Sequence, residues 1–200
     1  MHQCLRKKPR ATMNCNLTYD EHVTQVTLKC IGSLCQINRV KHLFDKHPLV
    51  IIIRSFVFSK LLYGSSVWPN TTKKNIELVQ AVQNFAAPTV SGTRKFDYAK
   101  PILKKLQWLP IIKQVADRDA AMVFKCSNTP PYLCQKFKTR SAVNNCNTKK
   151  RDRLHTPLCR TAVGKCAFTF RGRKLWNSHP DEFPSITNLY VFKAKIKRHF

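Results

Sequence analysis

Acidic residues are scarce in this chain: ten Asp and Glu stand against thirty-six Lys and Arg, a formal charge of +26 over 200 residues. That surplus is spread along the chain rather than confined to one tail, and its natural partner is a polyanion. Charge alone carries no specificity, so an over-basic translation freed from selection would look the same. Glycine is nearly as scarce, with five residues, and none builds a phosphate-cradling loop. No Ser, His and acid grouping is legible, so hydrolase and kinase readings have no support, and nothing points to a cofactor or a small-molecule substrate. The nine cysteines are odd in number and form no Cys-x-x-Cys, and no signal-peptide pattern opens the chain. These features fit reduced thiols inside the cell, nuclear or cytoplasmic, rather than a disulfide framework. Long hydrophobic runs are missing as well. The most apolar stretch, 49–62, is interrupted by Arg54 and Lys60 and is shorter than the roughly 20 residues that span a bilayer.

The sequence does contain helical periodicity. Residues 1–15 read as a basic arm around Arg6-Lys-Lys-Pro-Arg10. Thr18 and Glu21 have the spacing of a capping box, which predicts a helix starting near Asp20 with Val23, Val26, Cys30, Leu34 and Ile37 on one face. The β-branched run from Val50, extended through Phe56, Val57, Leu61 and Leu62, is too long for an ordinary strand and predicts a buried helix. Ile76, Val79, Val82, Ala86 and Val90 draw another helical stripe ending at Ser91-Gly92, with Pro88 inside it; a proline there costs about 3 kcal/mol unless the helix has already ended. Ile112, Val115, Ala116, Ala120, Val123 and Phe124 predict a further helix that Pro130-Pro131 stops. Residues 136–153 are polar and basic and read as a mobile linker. Leu189, Phe192, Ile196 and Phe200 line a closing amphipathic helix.

Between the linker and that helix lies Gly164-Lys-Cys-Ala-Phe-Thr-Phe-Arg-Gly-Arg-Lys-Leu-Trp-Asn-Ser-His-Pro180. From Lys165 to Arg171 apolar and polar residues alternate, which predicts a half-buried strand. Gly172 then permits a turn, Leu175 and Trp176 act as an anchor, and residues 154–159 are available as a pairing strand. The segment resembles the carboxyl-terminal signature of jockey-like non-LTR retrotransposon reverse transcriptases, G-x-R-x-F-S-x-x-x-P-x-L-W-N-x-L-P. Gly164, Phe168, Leu175, Trp176, Asn177 and Pro180 match; Cys166, Arg173 and His179 depart, as drift in a decayed copy would leave them. Upstream, Leu78-Val-Gln-Ala-Val-Gln-Asn84, Gly92-Thr-Arg-Lys-Phe-Asp97 and Pro101-Ile-Leu-Lys-Lys-Leu-Gln-Trp-Leu-Pro110 resemble consecutive blocks of the same family. Leu17-Thr-Tyr-Asp-Glu-His22 resembles its start just after the polymerase palm, and Pro88 is a further departure. The resemblance covers about residues 15–200. It implies a mainly α fold: a helical thumb-like region over 16–135, the basic linker over 136–153, and a small β hairpin followed by an amphipathic helix over 154–200.

The chemistry expected of such a segment is binding. A polymerase needs carboxylates that hold two metal ions, and no Asp-Asp pair occurs. Asp117 and Asp119 fall on a helix, where residues two apart point to different sides, and Asp181-Glu182 falls in a loop; the ordinary fate of such carboxylates is to meet water. By resemblance, the catalytic palm would precede residue 1. Cys146, His155, Cys159 and Cys166 lack the usual zinc spacing, so no metal site is expected. Phosphate neutralisation, by contrast, needs only cations in reach, and unpaired bases also stack on aromatic rings. The candidates are Arg171, Arg173, Lys174 and Trp176, with Arg94 and Lys95 as a second basic turn. For Trp176 the competing reading is a core anchor, and for the cations a solvated loop. If the carboxyl-terminal unit is a defined surface, its cations should outweigh Lys149, Lys150 and Arg151 in the linker. The expected partners are RNA or DNA through phosphates and a palm-containing polymerase chain. The rival class is an inert remnant, or a host protein that reuses the helices for protein contacts.

Overall fold

The computed structural model describes residues 19–68, 72–93, 98–128, 131–143, 150–179 and 186–199. Over these residues the fold is mainly α and divides into two compact units. One comprises Met1–Gly64 with Thr71–Ala99, the other Ser65–Asn70 with Lys100–Phe200.

The first unit opens with α1, Asp20–Val40, and a 3-10 turn at Lys41–Leu43. Asp20 and Glu21 in its first turn and Arg39 in its last complement the helix dipole. Its N-cap is Tyr19, without a side-chain cap bond; Thr18, the expected capping hydroxyl, lies outside the described residues. Val23, Cys30, Leu34 and Ile37 are buried as their spacing requires, but Thr27 takes the fully buried place and Val26 is half-buried. The second helical run is α2, Lys46–Ile53, a π turn over Arg54–Phe58, and α3, Ser59–Leu61. It buries Leu49, Ile53, Val57 and Leu61 at a spacing of four, with Phe58 and Leu62 buried beside the last two. Each step of four overshoots an α-helical turn by about 40°, and the wider π turn takes up the accumulated drift. The π turn also leaves the Val57 carbonyl to accept from the Cys30 thiol at 3.6 Å. The run is amphipathic rather than wholly buried, since Ile51 and Phe56 face outward.

The unit is completed by α4, Lys73–Ser91, which packs on α1 and α2. Thr72 caps it, accepting from the Asn75 amide at 3.4 Å, and the Asn75 side chain donates to Asp20 at the start of α1. Pro88 does not end the helix. It sits in the last turn, where a single backbone donor is missing. Four residues further on, Gly92, with φ 74°, closes the turn by donating its N–H to the Pro88 carbonyl at 2.9 Å.

The first helix of the second unit is α5, Ala99–Lys105, all but its first residue within that unit, and it ends with Gln107 at φ 54°. The Gln107 N–H reaches the Lys104 carbonyl at 3.1 Å and the Trp108 N–H reaches the Leu103 carbonyl at 2.9 Å. This is the Schellman arrangement with glutamine in the place that favours glycine. α6, Ile111–Asn128, is the central element; short helices α7, Pro131–Cys134, and α8, Arg140–Val143, follow, with a 3-10 turn at Gln135–Phe137 between them. Next come α9, Ala162–Cys166, α10, Phe168–Asn177, and α11, Leu189–His199. Both α10 and α11 pack on α6.

The expected hairpin is not formed. Residues 165–171 lie on α9 and α10, and among the described residues the β pairing is one isolated antiparallel bridge between Thr139 and Leu154. The alternation at 165–171 coexists with a helical spacing, Phe168, Gly172, Leu175 and Trp176, and packing against α6 selects the second. Gly172 is a contact point rather than a turn, because a Cβ there would lie 2.8 Å from Cγ2 of Val123. The expected linker is also largely structured: Phe137 near its start and Leu154 just past its end are buried with Val123 and Cys126. Residues 144–149 lie outside the described set.

Candidate nucleic-acid interface

The candidate residues of α10 do not share one environment. The Arg171 guanidinium points inward: Nε and NH2 donate to Oδ2 of Asp119 at 2.9 and 2.7 Å, and NH2 also donates to the Ser66 carbonyl at 3.0 Å. Asp119 is 1% exposed, so this carboxylate does not meet water as expected from its place on a helix. Burial pushes its carboxyl above the usual range, while the Arg171 charge and hydrogen bonding from Ser66 and Arg171 pull it back. Asp117, half-buried on the same helix, is also pushed up by burial, and Lys193, Lys197 and Arg118 oppose that shift. Residues two apart do diverge: one carboxylate pairs with α10, the other faces cations of α11.

Trp176 is half-buried and stacks with Phe192 at 5.5 Å between ring centroids, with Phe124 at 6.5 Å; the indole joins both apolar clusters of this unit. Its surroundings are those of a core anchor. Arg173 lies over the Phe137 ring, 5.7 Å from its centroid, and donates to the Lys136 carbonyl; burial lowers its pKa. Lys174 alone of the four is exposed. Arg94 and Lys95 lie outside the described residues.

A basic surface nevertheless forms beside α10, from residues that the sequence reading assigned to a linker. The Arg140 N–H donates to the Arg153 carbonyl at 2.8 Å, the His155 N–H to the Lys138 carbonyl at 2.9 Å, and the Ser141 N–H to the Arg151 carbonyl at 3.1 Å. Asn177 then clamps the returning segment as a peptide group would: the Leu154 N–H donates to its Oδ1 and its Nδ2 donates to the Leu154 carbonyl, both at 2.9 Å. Arg153 adds a bond to the Asn177 carbonyl at 3.1 Å. The two paired segments and the adjoining turn of α10 therefore carry Lys136, Lys138, Arg140, Lys150, Arg151, Arg153 and Lys174. Asp152, paired at 3.8 Å with Arg151 where both are exposed, is the acid among them. The signal was present in Leu-Trp-Asn, where Asn177 follows the anchor. Only the fold shows that its amide meets residue 154.

Among the described residues no group of three or more His, Cys, Asp or Glu could hold a metal ion. His155 and Cys159 are half-buried and Cys166 is exposed; Cys146, Asp181 and Glu182 lie outside the described set. No helix of the described residues is long and apolar enough to cross a membrane. Comparison with protein-family models, curated proteins and solved structures gives no match.

Proposed function

We propose that the chain is the segment downstream of the palm in a non-LTR, jockey-like reverse transcriptase, and that it grips RNA or DNA through backbone phosphates inside the cell. The observation that carries the binding reading is the surface of Lys136, Lys138, Arg140, Arg151, Arg153 and Lys174, pinned by the 139–154 bridge and the Asn177 clamp. Phosphate contacts need fixed cations with few competing carboxylates, and this arrangement supplies both. Of the expected α10 contacts, Lys174 keeps that role; Arg171 and Trp176 serve to hold the surface in place. On this reading the segment has no polymerase chemistry of its own and takes no cofactor. The palm-containing chain is a protein partner. Leu28 and Ile31 on α1, with Ile51 and Phe56 on the second helical run, expose apolar side chains that such a partner would cover.

The test is binding of labelled duplex DNA across a salt series. Each phosphate neutralised contributes about 0.9 to the slope of log affinity against log salt, so Lys138, Arg151 and Lys174 changed together to Ala should flatten it by about 2 to 3. The control changes Lys46, Lys73 and Lys104, exposed lysines elsewhere on the chain. Equal flattening by both triples would leave only polycation behaviour, and absence of binding at low salt would end the reading.

A further inference from the structure

The first unit holds a pocket that the basic surface does not use. It lies between the first half of α1 and α3, has a volume of about 440 Å³, and is lined by His22, Gln25, Val26, Lys29, Ser59, Lys60 and Tyr63. That volume lies within the range of small-molecule sites, about 300 to 1,000 Å³. It is larger than a lone phosphate needs. Among the described residues two lysines and no carboxylate line it, which favours an anion over a cation, while the rest of the wall is mostly apolar and suits a flat ring. Glu21, next to His22 in the first turn of α1, accepts from the Gln25 amide at 3.0 Å. Lys60 is held by one bond to the Ser33 hydroxyl at 3.4 Å, which fixes its stem and leaves further N–H donors for a ligand. Val26 offers an apolar wall, and Tyr63, 54% exposed, offers a ring surface at the mouth. His22 is 8% exposed, and burial followed by the Lys29 charge lowers its pKa, so a neutral imidazole sits at the pocket wall as a hydrogen-bonding group.

We propose that this pocket receives a single nucleotide unit, a planar base carrying a phosphate, supplied by the unpaired end of a nucleic-acid strand. Lys29 and Lys60 take the phosphate, Tyr63 and Val26 take the base, and the polar wall of His22, Gln25 and Ser59 meets its edge. The proposal rests on the nucleic-acid reading above but on different residues in a different unit. A groove with cations and one exposed ring is the minimum that binds unpaired bases without sequence preference.

The experiment uses the full chain with a blunt duplex, the same duplex bearing an unpaired overhang that ends in 2-aminopurine, and AMP alone. Anisotropy reads affinity, and 2-aminopurine fluorescence, which falls on stacking, reads the base. The wild-type chain should bind the overhang more tightly than the blunt duplex and quench its fluorescence. Tyr63→Ala should remove the quenching and weaken overhang binding by at least about fivefold, the low end of what base–aromatic stacking provides, without changing blunt-duplex affinity. Tyr63→Phe should restore both. Lys60→Met should lower the salt slope for the overhang by about 0.7. The triple change at Lys138, Arg151 and Lys174 should weaken both duplexes and leave their ratio intact. Blunt and overhang duplexes bound equally by the wild-type chain would overturn the pocket and spare the basic surface, whereas binding of neither would overturn the nucleic-acid reading itself. AMP bound as tightly as the overhang would overturn the strand end as the source. A circular dichroism melt of each variant, Tyr63→Ala included, checks that it folds.

Discussion

Removing one partner of the Asp119–Arg171 pair should cost far more than removing both. The pair is desolvated: the Asp119 and Arg171 side chains are 2% and 19% exposed, and the contact is 2.7 Å. Burial raises the Asp119 carboxyl despite the facing guanidinium, so desolvation weighs heavily on this carboxylate. Asp119→Ala leaves the Arg171 guanidinium inside with only the Ser66 carbonyl to receive it, and the expected loss is about 3 to 5 kcal/mol. Domain stability is of the order of 5 to 15 kcal/mol, so the single variant should melt at a visibly lower urea midpoint or fail to fold cooperatively. Asp119→Leu with Arg171→Met replaces both charges with apolar volume and should be neutral or stabilising by about 1 to 4 kcal/mol. Urea titrations of wild type, the two single variants and the double variant, followed by circular dichroism, give the coupling energy directly. Additive single effects, or an Asp119→Ala change within about 0.5 kcal/mol of wild type, would refute the reasoning.

Three further outcomes are expected. Gly172→Ala places a methyl 2.8 Å from Val123 Cγ2 and should destabilise by about 1 to 3 kcal/mol, with Val123→Ala recovering part of the loss in the double variant. Gln107→Gly relieves a left-handed residue at the end of α5 and should stabilise by about 0.5 to 1 kcal/mol, read as a rise in thermal midpoint; no rise would mean that the glutamine side chain offsets its backbone strain. His22 has a folded pKa below its ordinary value, so the unfolded chain takes up protons first. The stability tied to its neutral form is present above the unfolded value near 6.5 and is lost as pH falls below it. The pH dependence of stability between about 7 and 5 should therefore flatten in His22→Gln, and an unchanged profile would assign that dependence to other groups.

Helical periodicity needs only the order of residues along one element, which is why α1, α4, α6 and α11 were legible from spacing, down to Asp20 as the first residue of α1 and Gly92 as the stop of α4. The basic character of the chain and the anchor Leu175-Trp176 were legible for the same reason. Residues 165–171 were not, because seven residues can satisfy a period of two and the start of a period of 3.6 together. The choice is made by Val123 of α6, which admits a helix at Gly172 and no side chain there. Pairings between segments far apart in sequence were also invisible: Arg171 with Asp119 across 52 residues, and Asn177 with Leu154 across 23. A cation in a list of cations has no direction; burial beside a carboxylate turned Arg171 inward, and the clamp on residue 154 made part of the supposed linker into a surface. Composition therefore decided that the chain is basic and periodicity that it is helical, and tertiary packing decided which of its charges turn inward to support the fold and which stay on the surface.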